Sequence, residues 1–227
     1  MIQENYKILE EKIAEKCLKT GMNRSDITLI AISKMQPMEM IIEAFNAGII
    51  HFGENKAQEL DQKTERITEN IIWHFVGHLQ TNKVKYVIKS AEYIHSVDSL
   101  KLAEEINSKA KRLDKIQKVL LEINTSREAS KFGLTEKSEI LNISEFCKNS
   151  GNLDLIGLMT MAPLTDNESM IRDCFVKLRV LKDELNQKGF GLKELSMGMT
   201  NDYEIALEEG ATMLRIGTAI FGDRSYN

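Results

Sequence analysis

Residues 27–37 read ITLIAISKMQP: an apolar, β-branched run from Ile27 to Ser33, then Lys34, Met35, Gln36 and Pro37. An apolar run of that length reads as a strand. The residues at its end decide the fold. A dinucleotide-binding sheet places a glycine-rich turn directly after its first strand, and no glycine occurs between Ile27 and Pro37. The strand ends on a lysine instead.

Working outward, further strands are expected at IIHFG (49–53), IIWHFVG (71–77), YIHSV (93–97), KVLLEIN (118–124), LDLIGLMTM (153–161), ELSMG (194–198) and TMLRIG (212–217). Helical patterns separate them. The clearest covers 167–187, with Ile171, Cys174, Phe175, Leu178, Leu181 and Leu185 on one face. Thr81, Asp98 and Thr135 stand where N-caps are expected. Eight strands alternating with helices exceed the five or six of a doubly wound sheet and match a single compact (β/α)8 TIM barrel, of α/β class. The stripe Ile2, Tyr6, Leu9, Ile13 and Cys17 predicts an extra N-terminal helix, expected to close the barrel's bottom. With only Pro37 and Pro163 as prolines and no Gly/Ser linker, residues 1–227 are expected to form one domain.

Composition narrows the function classes. Hydrophobic residues at 42% and charged residues at 28% argue against disorder. No apolar run approaches the roughly 20 residues of a membrane span, and the acidic N-terminus lacks a signal-peptide core. A net charge of -4 without a basic run argues against nucleic acid or an anionic membrane as partner. Cys17, Cys147 and Cys174 lie far apart and form no metal or redox motif, so buried thiols and a cytoplasmic, reducing location are expected.

Barrel chemistry gathers at the C-terminal ends of the strands. Those positions hold Lys34; Glu54 and Asn55; His78, Gln80 and Asn82; Ser96 and Asp98; Asn124; Met159 and Thr160; Ser196 to Thr200; and Arg215, Gly217 and Thr218. Strand alternation puts Lys34 on one face with Thr28, Ile30 and Ile32, and Arg215 with Met213 and Gly217. An inward arginine needs an anion or polar acceptor, which could be an internal carboxylate such as Glu54 or Glu122. Lys34 reads either as a solvated rim lysine or as an amine that forms a Schiff base with an aldehyde. The loops after the seventh and eighth strands are the usual phosphate site of this fold, and SMGMTND and RIGTAIFG supply small residues, Gly198, Gly217 and Thr218 there. A phosphorylated aldehyde satisfies all three features. Pyridoxal phosphate leads, and a sugar-phosphate aldolase is the rival, with Glu54 as its nearest acid or base.

The motifs AISKMQP (31–37), HFGENKAQEL (51–60), WHFVGHLQTNK (73–83), SKFGL (130–134), GLMTMAP (157–163) and LSMGMTNDYEIALEEGATMLRIGTAIFG (195–222) resemble the YggS/PROSC family of pyridoxal phosphate homeostasis proteins. The resemblance spans nearly the whole chain. It implies a barrel like the N-terminal domain of alanine racemase, a fold-type III site, with pyridoxal 5'-phosphate on Lys34. It further implies that Ser196, Gly198, Gly217 and Thr218 hold the phosphate, with Met197 and Thr200 nearby. Arg215 would face the pyridine nitrogen, and Asn55 would lie beside the ring.

A cation at the ring nitrogen disfavours its protonation and makes the ring a poor electron sink. The racemase-like enzymes also carry a second domain with a catalytic tyrosine, whereas only Phe221–Asn227 follow the eighth strand region here, and Tyr226 reads as a terminal packing residue. The expectation is therefore a carrier that binds, buffers or delivers the cofactor, without catalytic residues or a metal. A minimal racemase is the weaker alternative. PLP-dependent apoenzymes are the expected transient partners, and a monomer the expected state. His78 is a candidate for the cofactor environment and Lys131 for cofactor transfer. His51, His74 and His95 read as barrel residues without metal-ligand spacing, and Lys83, Lys85 and Lys89 as a solvated helix face.

Overall fold

In the computed structural model, which describes residues 1–126, 128 and 131–223, eight parallel strands close into a barrel in sequence order. They are β1 (Thr28–Ile32), β2 (His51–Glu54), β3 (Ile72–Phe75), β4 (Tyr93–Val97), β5 (Gln117–Glu122), β6 (Leu153–Met159), β7 (Glu194–Ser196) and β8 (Met213–Ile216). The barrel closes where β1 pairs with β8, Ile30 opposite Arg215. Each strand is followed by a helix: α2 (Met38–Asn46), α3 (Ala57–Arg66), α4 (Val84–Val87), α5 (Leu100–Arg112), α6 (Lys137–Lys148), α7 (Glu168–Gln187), α8 (Tyr203–Glu208) and α9 (Thr218–Phe221), with α1 (Ile2–Thr20) ahead of them all. Several strands are shorter than their apolar runs, because residues such as Ile27 and Ile49 are buried in the wall without joining the ladder.

The alternation of side chains sorts the core into two parts. Ile30, Leu120, Met159 and Met213 pack inside the barrel, while Leu29, Ala31, Leu195, Leu214 and Ile216 face the helix layer. A Cβ on Gly157 would lie 2.1 Å from the Glu194 carbonyl oxygen, so the close approach of β6 and β7 requires glycine there.

The N-terminal helix does not close the bottom of the barrel. It packs against α2, α8 and α9, burying Ile2, Leu9, Ile13 and Cys17, and Asn5 donates to the Ile220 carbonyl at 3.0 Å. The reason is α9, whose single turn is too short to cover β8 and β1, so α1 takes that sector of the ring. The cap expectations also change. Ser99 caps α5, accepting from the Leu102 N–H, because Asp98 turns toward His78 instead. Thr81 opens a 3-10 turn, and α6 starts at Lys137 with no side-chain cap. Cys17, Cys147 and Cys174 are buried free thiols, and burial pushes Cys147 up to about 12. Among the described residues no helix is long and apolar enough to cross a membrane.

Candidate functional site

Lys34 sits on a tight turn at the end of β1. The Gln36 N–H donates to the Ser33 carbonyl at 3.0 Å, and Met35 adopts φ 61, a left-handed conformation uncommon for a residue with a side chain. A buried network fixes this turn from outside the barrel. Lys63 of α3, 5% exposed, donates to the Ser33 carbonyl at 2.8 Å, to Glu54 at 2.7 Å and to Glu59 at 2.7 Å. Ser33 Oγ donates to Glu54 at 2.6 Å, and Glu59 accepts the Met35 N–H at 2.6 Å. Glu54 therefore lies on the outer face of the wall. Its neighbour Gly53 faces inward, where an added Cβ would meet Ile30 and Ile32. Burial pushes the Glu54 carboxyl up, against the opposing pull of Lys63. A carboxylate so placed cannot serve as the acid or base beside Lys34.

Arg215 points into the barrel and is 4% exposed. Its Nη1 donates to Ser196 Oγ at 2.6 Å and its Nη2 to the Thr160 carbonyl at 2.8 Å. Burial lowers its pKa to about 10, with Asp202 and Glu122 holding the charge, so it remains cationic at neutral pH. Of the partners the sequence left open for this arginine, the polar acceptors Ser196 and Thr160 take its hydrogen bonds, and not an internal carboxylate. Glu122, also inward, is 3% exposed. Burial, then the charge of Asp98, pushes its carboxyl up to about 7, opposed by Arg215.

After β7 the chain turns through Gly198 at φ 92, where a Cβ would come within 2.7 Å of Ala206 Cβ. The Gly198 carbonyl accepts the Arg215 N–H at 3.0 Å. Helix α8 begins at Tyr203, just after Asp202 accepts the Met199 N–H. After β8, α9 starts directly behind Gly217, so its first-turn N–H groups lie outside the intrahelical ladder.

A cavity of about 920 Å³ opens at this end of the barrel, and Lys34, Thr200, Arg215, Gly217 and Thr218 all line it. Asn201 lines it too, as do the carboxylates of Asp166, Glu168, Asp202 and Asp223. Burial raises the pKa of Asp202, opposed by the Met199 N–H and by the charge of Arg215. The remaining residues singled out in the sequence lie elsewhere. Ser196 is fully buried beneath Arg215, and Met197 is buried in the wall on the helix side. Gly198 packs against α8. Asn55 follows β2 with a buried Oδ1 that has no hydrogen-bond partner among the described residues. His78 stacks on Phe132 at 3.8 Å between ring centroids, with Nδ1 3.2 Å from Asp98. Lys131 pairs with Glu128 at 3.3 Å. Ser130 of the SKFGL motif and Tyr226 lie outside the described residues. No cluster of potential metal ligands occurs among the described residues.

Sequence reasoning missed Lys63. On α3 it reads as a solvent-facing partner of Glu59 at i,i+4. The available signal was its place on the stripe with Ala57, Leu60 and Ile67, all buried.

An inward lysine and arginine sharing the mouth of an eight-stranded barrel define a class. Residues 5–225 match the family model described as "Alanine racemase, N-terminal domain". A curated "Pyridoxal phosphate homeostasis protein" of Aquifex aeolicus is 41% identical over 95% of this chain and 95% of its own length. The solved structure of PipY from Synechococcus elongatus, with PLP bound, is 34% identical, with a TM-score of 0.82 over 92% of this chain and 100% of its own. The chain belongs to the alanine racemase N-terminal domain family and, within it, to the pyridoxal phosphate homeostasis proteins. Alanine racemase from Streptomyces coelicolor shares the fold, with a TM-score of 0.74 at 14% identity, over 98% of this chain but 58% of the racemase.

Proposed function

We propose that the chain binds pyridoxal 5'-phosphate at the barrel mouth and holds it in reserve for PLP-dependent apoenzymes. The observation that carries this reading is the convergence of Lys34 and Arg215 on one cavity that Thr200, Gly217 and Thr218 also line. That donor set fits the cofactor. Lys34 supplies the amine for its aldehyde, Thr200 and Thr218 supply hydroxyls for its phosphate, and Arg215 supplies a cation for its ring nitrogen. Asn55 Oδ1 is a buried acceptor with no donor among the described residues. When bound, the cofactor supplies a reactive aldehyde and an electron-accepting ring.

The chain's own residues limit what that ring can do. Arg215 stays protonated and cannot give up its proton to the ring nitrogen, so it opposes build-up of the ring's positive charge. Glu54, bound to Lys63 and Ser33, is held on the outer face of the wall and offers Lys34 no acid or base. Both features favour storage and delivery over turnover, and the curated relative is named for homeostasis. In this reading residues 1–227 act as one cofactor-binding unit, monomeric and cytoplasmic, with no nucleic acid or membrane partner. Site residues Ser196, Met197 and Gly198 serve as support beneath and beside the contact residues.

Titration with pyridoxal phosphate tests the reading. The wild type should develop a visible absorbance band saturating at one equivalent, and Lys34→Ala should not. Racemisation of amino acids, followed by chiral chromatography, should stay at the level of free cofactor. Turnover that Lys34→Ala abolishes would overturn the carrier role.

A further inference from the structure

Beneath Arg215, three histidines from consecutive strands form one hydrogen-bonded chain through the barrel. Nδ1 of His51, the first residue of β2, lies 2.9 Å from Nε2 of His74 in β3. Nδ1 of His74 lies 2.9 Å from Nε2 of His95 in β4. Nδ1 of His95 lies 2.8 Å from Ser196 Oγ, which accepts from Arg215 Nη1 at 2.6 Å. His74, His95 and Ser196 have no exposure, and His51 is half-buried at the end of the barrel opposite the mouth. Direct nitrogen-to-nitrogen contacts leave no room for a shared metal ion.

The direction of this chain is set by its fixed end. A guanidinium can only donate, so Ser196 Oγ accepts from Arg215. The Ser196 proton must then find an acceptor, and its other hydrogen-bond partner among the described residues is His95 Nδ1. With Nδ1 accepting, neutral His95 carries its proton on Nε2 and donates to His74 Nδ1. His74 in turn donates from Nε2 to His51 Nδ1. The opposite direction would aim two donors at Ser196 and bury its hydroxyl proton unpaired, which is unfavourable. Burial lowers the pKa of all three imidazoles, with further lowering of His95 by Arg215, so each is neutral.

We propose that His95, His74 and His51 are positioning residues for Arg215: they hold Ser196 as an acceptor, which fixes the guanidinium in the orientation that faces a bound cofactor ring. The proposal deepens the cofactor reading and rests on it for its functional half. Its structural half stands alone: all three histidines are neutral Nε2–H tautomers whose order is imposed by Arg215.

Long-range proton–nitrogen correlation NMR on 15N-histidine-labelled protein, first without cofactor, tests that half. The expected spectrum shows His51, His74 and His95 as Nε2–H tautomers. Ser196→Ala, which removes one oxygen, should move the His95 nitrogen shifts while the protein stays folded by circular dichroism. An Nδ1–H tautomer at His74 or His95, or shifts unmoved by Ser196→Ala, would overturn the proposal. The functional half is read from cofactor titration. Loss of a hydrogen bond to a charged group predicts about tenfold weaker binding or more for Ser196→Ala and for His95→Phe, with His95→Gln recovering most of it. Unchanged binding in Ser196→Ala would overturn this half even if His95→Phe failed to fold. If wild-type protein binds no pyridoxal phosphate, the cofactor reading fails, while the tautomer spectrum still decides the chain.

Discussion

Lys63 Nζ lies 2.7 Å from Glu54 Oε1, an ion pair buried directly behind the turn that carries Lys34. One ammonium thereby joins β2, α3 and the end of β1. Removing one partner of such a pair leaves a charge in a poor environment, at a cost of about 3–5 kcal/mol. Lys63→Met should lose that much stability in urea unfolding, and Lys63→Met with Glu54→Gln should regain part of it. Equal stability for Lys63→Met and wild type would show that the pair holds nothing in place.

Gly198 and Gly217 separate support from contact. At Gly198, an added Cβ meets Ala206 at 2.7 Å in a left-handed backbone, whereas at Gly217 its nearest neighbours lie at 3.5 Å. Gly198→Ala should therefore cost roughly 2–4 kcal/mol from strain and overpacking together. Gly217→Ala should change stability by less than about 1 kcal/mol, yet weaken cofactor binding. Thermal unfolding with and without pyridoxal phosphate distinguishes the two.

Glu122 gives the fold a pH dependence. Its carboxyl holds its proton up to about 7 against an ordinary 4.5. Between those values the unfolded chain ionises while the native one does not, so stability falls as pH rises through that window and levels off above it. A shift of this size corresponds to about 3 kcal/mol. Relative to Glu122→Gln, the wild type should lose approximately that much between about pH 4.5 and about pH 8. Parallel stability curves for the two proteins would contradict the assignment.

The barrel is legible in the sequence because eight apolar runs alternate with helical stripes. Alternation along β8 also places Arg215 inside, opposite Leu214 and Ile216. What fails is reasoning that needs a third dimension. Glu54 reads as a neighbour of Lys34 because both end adjacent strands, but an inward Gly53 turns Glu54 outward. The three histidines are visible as strand residues, yet only the register of β2, β3 and β4 brings their rings into line. Ser196 lies in a loop motif whose small residues suggest phosphate contact, and its last-in-strand position buries it under Arg215. The place of α1 depends on the length of α9, which an apolar stripe does not encode.

The functional reading stands or falls on Lys34 as the residue that carries pyridoxal phosphate. Borohydride reduction of the loaded protein, with proteolysis and mass mapping of the peptides, addresses that residue itself. A pyridoxyl adduct on Lys34 is expected, in the peptide containing Met35 and Gln36, together with loss of the visible band. An adduct confined to another lysine, or none at saturating cofactor, would contradict it.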